Sequence, residues 1–266
     1  MFKLVKIISP IIAKSFRLIS SPKEDEKAEP ASSNADEDYN IGWNAFVDGD
    51  SKTAFEKLEP LAIQGHVLAQ WHVGILSKLK SYDFERAKHW FQEAHKNGHP
   101  NAPYQIGTLY RNGQGVLQNH ETAVKWFLKG AELGDADASY NLYIAYDQGL
   151  AGLQKNQENA FKYLLMAAEA GHQDSQHMAG MRFLMGTGVA SNKILGYMWI
   201  EIAAFSDTFK IQPSVVGAYP RQTFSIEDSQ DILDALSEEM SPEQISRAKE
   251  LARECVSKDF KLNGIS

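Results

Sequence analysis

The chain has 266 residues, 43% of them hydrophobic and 23% charged, with a net charge of −7. That much apolar material supports a folded protein, while the acidic balance, with no cationic face in the body of the chain, argues against a nucleic-acid partner. A single cysteine, Cys255, excludes an internal disulfide and, lying in an apolar-periodic stretch, reads as a small packing residue.

No stretch reaches the roughly 18–20 apolar residues that cross a bilayer as a helix. The first twenty residues, MFKLVKIISPIIAKSFRLIS, are nevertheless patterned. At about 100° per residue, Lys3, Lys6, Lys14 and Arg17 share a narrow sector. Ile7, Ile8, Ile11 and Ile12, with Leu4, Val5, Phe16, Leu18 and Ile19, fill the broad opposite face. A basic stripe beside an apolar face suits a helix lying on an anionic membrane surface, although Pro10 would kink it. Two other readings stay open. One is a secretory signal, against which stand the short uncharged run Ile7 to Ala13 and its poor cleavage site. The other is a short helix docked on the rest of the chain. The expected location is cytoplasmic and peripheral on the inner membrane, with export as the alternative. Residues 21–38, SPKEDEKAEPASSNADED, hold seven acids and two prolines. They bury too little surface to offset ordering entropy, and read as a flexible acidic linker.

Residues 39–207 repeat. Ala54, Ala87, Ala123, Ala160 and Gly196 are spaced by 33, 36, 37 and 36 residues. Eleven positions after the first four stand Gly65, Gly98, Gly134 and Gly171, then, four further on, Ala69, Ala102, Ala138 and Ser175. Five beyond these are Gly74, Gly107, Tyr143 and Gly180. A period of roughly 20–50 residues marks a solenoid. In the third unit Asn101 and Pro103 open a first helix, Ile106, Leu109 and Tyr110 line its apolar face, and RNGQGV breaks it. Asn119 opens a second helix carrying Ala123, Trp126, Phe127 and Ala131. Gly107 and Ala123 would let the two axes approach closely.

These units resemble the Sel-one-like repeat, a tetratricopeptide relative. The third unit carries the match most fully, through Ala102, Ile106-Gly107, Tyr110, Gly113-x-Gly115-Val116, Ala123, Trp126-Phe127, Ala131 and Gly134. In the fourth, Tyr143 replaces the helix glycine and the loop is one residue longer. In the second, SKLKSYDF replaces the Gly-x-Gly loop. The resemblance implies an all-α, right-handed α–α superhelix of about five Sel-one-like repeats with a C-terminal helical cap. Residues 208–266 supply that end: an extended connector from Phe209 to Phe224, a helix opening near Ser225, and another at Ser241-Pro242-Glu243-Gln244. Ile245, Ala248, Leu251, Ala252 and Cys255 form its apolar stripe.

Catalytic signals are poor. Ser77-x-x-Lys80 and Ser20-x-x-Lys23 match a string of penicillin-recognising enzymes in loop contexts without its partner motifs. His66, His99 and His172 occupy one repeat position, which reads as a structural polar role rather than a metal site. No cofactor or enzymatic activity is expected. The best interaction surface follows from position. Trp71, Tyr104, Tyr140 and His177 form a column on the first helices, beside Ile75, Thr108, Ile144 and Met181, then Lys78, Arg111, Asp147 and Leu184. By the resemblance these faces line a concave groove, where the column would either grip a protein or peptide or pack between repeats. The expected role is a non-catalytic adaptor. Its rivals are a hydrolase-like enzyme acting in the groove and an exported scaffold.

Overall fold

A computed structural model describes residues 33–207, 226–258 and 260, and every regular element among them is helical. Ten helices form five pairs: α1 (Ser33–Asp48) with α2 (Ser51–Ile63), α3 (Val67–Leu76) with α4 (Phe84–Lys96), α5 (Ala102–Asn112) with α6 (His120–Glu132), α7 (Ala136–Gln148) with α8 (Gln157–Glu169), and α9 (Gln173–Met185) with α10 (Lys193–Asp207). Two more, α11 (Ile226–Glu239) and α12 (Pro242–Ser257), follow. From α2 to α10 each helix packs on the next, and α11 and α12 both pack on α10. The expected solenoid of stacked helix pairs and its helical cap are both present.

The chain turns from one pair to the next over three residues, or five before the third pair. Gly65, Gly98, Gly134 and Gly171 have φ of 93°, 89°, 85° and 85°, a left-handed backbone that glycine alone adopts without strain. The residue after each glycine donates its N–H to Leu61, Ala94, Gly130 or Ala167 at 2.8–3.0 Å. That bond satisfies a carbonyl at the end of the helix. Three of the same residues then open the next helix. His66 Nδ1 accepts from the Ala69 N–H at 3.1 Å, Asp135 Oδ1 from Ala138 at 2.7 Å, and His172 Nδ1 from Ser175 at 3.2 Å. Among the described residues no group of three or more potential metal ligands exists. The third pair differs because Pro103 lacks the N–H that Gln70, Ser139 and Gln176 donate to the junction residue's carbonyl, and its helix starts later, at Ala102. Asn101, expected to cap it, does not. Its backbone is already helical (φ −89°, ψ −5°), and its amide instead donates to Asp135 Oδ2 at 2.9 Å.

Within a pair, the helices cross where one lacks a side chain. A Cβ on Gly74 would lie 2.6 Å from the Phe91 ring, one on Gly107 2.6 Å from the Phe127 ring, and one on Gly180 2.8 Å from Ile200. Gly42 does the same in the first pair, 2.7 Å from Leu58. The fourth pair exchanges the volumes: Tyr143 replaces the glycine and the facing ring position holds Leu164, both in one buried cluster.

Two local expectations need correcting. Helix α1 begins at Ser33, so residues 33–38 of the stretch read as linker are helical, with Asp36 favourably placed in the first turn. The Ser77–Ser81 stretch is not a loop but a π-helical turn that extends α3. Ser77 is fully buried there and its hydroxyl donates to the Val73 carbonyl at 2.8 Å, which leaves it no role as a nucleophile. Residues 1–20, with Lys3, Lys6, Lys14 and Arg17 and their apolar face, lie outside the described residues, as does the connector from Phe209 to Phe224.

The cap matches its sequence signals. Ser241 Oγ accepts from the Gln244 N–H at 3.3 Å, and Gln244 Oε1 accepts from the Ser241 N–H at 2.9 Å. Ala248, Leu251, Ala252 and Cys255 are buried; Ile245 is half-buried. Burial pushes the Cys255 thiol up to about 12, so it packs rather than reacts.

Alanine has the higher helix propensity by about 1 kcal/mol, yet Gly107→Ala should destabilise the chain by about 1–3 kcal/mol through overpacking against Phe127. Urea denaturation followed by circular dichroism reads this directly; an unchanged or higher midpoint would contradict the close crossing.

Candidate functional site

The first-helix column is mostly a seam between repeats. The Trp71 ring stacks on His99 at 4.3 Å and 13°, and Tyr140 stacks on His172 at 4.5 Å and 22°. In each case the ring lies on the residue that opens the next pair. Tyr39 repeats the pattern on His66 at 4.8 Å and 28°. Tyr104, facing the Asp135 junction, meets the Phe127 ring at 6.0 Å. His177 closes the series against the cap, its Nδ1 3.1 Å from the Ser229 hydroxyl of α11. Tyr104, Tyr140, His177, Thr108, Ile144, Lys78 and Arg111 are buried, whereas Trp71, Ile75, Met181, Asp147 and Leu184 are partly exposed.

Beside the rings runs a polar row that also joins neighbouring repeats. Lys78 Nζ donates to Gln105 Oε1 at 2.8 Å and to Thr108 Oγ1 at 3.1 Å. Arg111 donates to Asn141 Oδ1, and Arg182 reaches back to Asp147 Oδ1 at 2.6 Å. Burial, with the Arg111 charge acting in the same sense, lowers the Lys78 ammonium to about 8. Lys78 and Arg111 are thus drawn together with neutral side chains of the next repeat.

Sequence reasoning missed the first rungs. Tyr39 and Gly42 precede Trp71 and Gly74 by 32 residues, so extending the period backward would have found both. It also missed His72, whose Nδ1 lies 3.4 Å from the Tyr39 hydroxyl, with the Trp43 ring 4.6 Å and the Phe46 ring 5.4 Å from its own. Burial lowers His72 and His99 to about 4, so both are neutral at pH 7. Asp135 moves the other way: burial raises it to about 7, against the Ala138 and Asn101 donors that favour its charged form.

A cavity of about 260 Å³ lies between α5, α6, α7 and the loop after α7. Arg111, His120, Ala123, Val124, Phe127, Asn141, Ala145, Leu150 and Ala151 line it. Its polar lining is Arg111, His120 and Asn141, with neither a carboxylate nor a serine among them.

The Sel1 repeat family matches the chain at residues 68–99, 100–135, 136–172 and 173–204, the second to fifth pairs. A rat protein, DAP3-binding cell death enhancer 1, is 29% identical over 109 residues. That match takes in 41% of this chain and 21% of the rat protein, so the chain spans about a fifth of the curated relative. Among solved structures, c5321, a protective antigen of uropathogenic Escherichia coli with an SLR fold, superposes with a TM-score of 0.61 at 20% identity. It covers 85% of this chain and 47% of the antigen. A Sel1 repeat protein from Oxalobacter formigenes gives a TM-score of 0.56 at 21% identity, covering 84% of this chain and 86% of that one. At these identities the structures speak for the fold.

The shifted groups set a pH dependence. For His72 and His99 the folded value lies below the unfolded one, so their stabilising contribution is complete above about 6.5 and lost as pH falls through about 4. Asp135 has its folded value raised, so its share is complete below about 3.8 and lost as pH rises through about 7. Two groups oppose one between pH 4 and 6.5, and the urea midpoint should fall on acidification from pH 6.5 to pH 4.5. His99→Phe keeps a ring against Trp71 and should flatten the fall; an equally steep profile would contradict the assignment.

Proposed function

The chain belongs to the Sel1 repeat family, and from that membership we propose that it is a non-catalytic adaptor that holds a protein or peptide on its first-helix face. The observation that carries the reading is a row of half-exposed side chains: Ile75, Met181 and Leu184, with Trp71 and Asp147, which keep exposed surface although Trp71 stacks on His99 and Asp147 pairs with Arg182. Apolar anchors with a carboxylate among them, on a rigid helical surface, suit an extended peptide or a partner helix. Tyr104, Tyr140, His177, Thr108, Ile144, Lys78 and Arg111 then shape and stiffen that face. The rat relative's name records a protein partner, DAP3, for that protein; a protein partner here is of the same class.

Residues 1–20 supply the second element of the proposal. Their basic stripe and apolar face would tether the chain to an anionic membrane surface from the cytoplasmic side, with residues 21–32 as spacer.

Two experiments test these elements separately. Ile75→Asp with Met181→Asp should lower recovery of a captured partner at least tenfold while far-UV circular dichroism is unchanged. Full recovery by the folded double variant would remove the first-helix face from consideration. For the tether, the intact chain should bind vesicles containing phosphatidylserine more tightly than a 1–22 deletion, and less so at high salt. Equal binding would end that idea, and an N-terminus found cleaved near Ala13 or Ser21 would point to export instead.

A further inference from the structure

The loop between α7 and α8 departs from its neighbours. In the third and fifth pairs the corresponding loops carry Gly115 at φ 64° and Gly188 at φ 76°. Both press on the start of the preceding second helix: a Cβ on Gly115 would lie 2.7 Å from the Phe84 carbonyl carbon, and one on Gly188 would overlap the Gln157 carbonyl. In the fourth pair the segment is Gly149-Leu150-Ala151-Gly152, and Ala151 holds the same left-handed backbone at φ 56°. An alanine methyl does not fit that close approach. The loop meets the start of α6 through Gly152 instead, where a Cβ would lie 3.3 Å from the Glu121 carboxylate, and the cavity lies beside it, with Ala151 and His120 both in its lining. Backbone strain at a non-glycine residue is retained where neighbouring structure enforces it, and such sites cluster at ligand clamps.

The cavity's walls are unequal in chemistry. Ala123, Val124, Phe127, Ala145, Leu150 and Ala151 make an apolar surface. The Arg111 guanidinium stands among them, 8% exposed, 5.9 Å from the Phe127 ring centre and bonded to Asn141. We propose that this cavity binds a small monocarboxylate with an apolar body, its carboxylate meeting Arg111. The guanidinium's planar donors match a carboxylate, and the alkyl and phenyl walls take the body. Its charge repels an ammonium ligand. At about 260 Å³ the space falls just below the roughly 300–1,000 Å³ of drug-sized sites, which limits the body to a short chain or single ring. The site is separate from the half-exposed row assigned to a protein partner.

Calorimetric titration of the full chain with octanoate tests this, with 1-octanol and octylammonium as matched controls. Octanoate should bind saturably and at least tenfold more tightly than either control. Val124→Phe fills part of the space from α6 and should weaken octanoate at least tenfold without lowering the thermal midpoint. Ala145→Leu fills it from α7 and should do the same; if one fails to fold, the other decides. No saturable octanoate binding, equal affinity for the alcohol, or undiminished affinity in a folded variant would overturn the proposal.

Discussion

Each repeat boundary must end one helix, reverse the chain and start another within three to five residues. Glycine meets the first demand by taking a left-handed backbone at Gly65, Gly98, Gly134 and Gly171. The following histidine or aspartate meets the second, closing the finished helix with its N–H and, at His66, Asp135 and His172, capping the next with its side chain. A side-chain cap is worth about 1 kcal/mol. At His66, His99 and His172 the junction ring also bears the aromatic ring of the preceding first helix. Such pairs add about 0.5–1.5 kcal/mol beyond area burial. Capping, reversal and inter-repeat adhesion therefore converge on one short junction. Histidine nitrogens that accept an amide proton must themselves carry none, so this seam requires neutral imidazoles.

The same seam decides which residues remain for recognition. A repeat protein is stable only when neighbouring units cover each other, and the large rings of the first helices serve that purpose. Lys78, Arg111 and Arg182 extend the adhesion with polar contacts across the boundary. On this face only the positions between stay half-exposed, while the loops, less constrained by packing, are where individual repeats diverge. The π-helical turn at Ser77–Ser81 and the strained Ala151 are two such divergences.

Fold and cap were legible because they rest on local, periodic chemistry. Small residues at fixed spacing, glycines at helix ends and the Ser241-Pro242-Glu243-Gln244 opening each specify one conformation. Repetition multiplies a weak signal. The site was less legible, because an aromatic column on a helix face looks the same in sequence whether a partner or the next repeat covers it. Tyr140 lies on the first-helix face, but its stacking on His172 depends on a residue 32 positions away in an adjacent unit. Asn101 failed as a cap because Pro103 has no N–H to close the first turn on His99, so the helix starts at Ala102, and Asp135 claims the Asn101 amide. The cavity had no sequence signature beyond one extra loop residue beside it.

A double-mutant cycle at one junction tests the seam most directly. Tyr140→Leu removes one ring, and His172→Asn removes the other while leaving a side chain able to cap the Ser175 end of the helix. Stability of the four forms, measured by urea unfolding, should show a coupling of about 0.5–1.5 kcal/mol between the two positions. If the two losses add to within about 0.3 kcal/mol, the rings do not hold the repeats together and another interaction carries the stack.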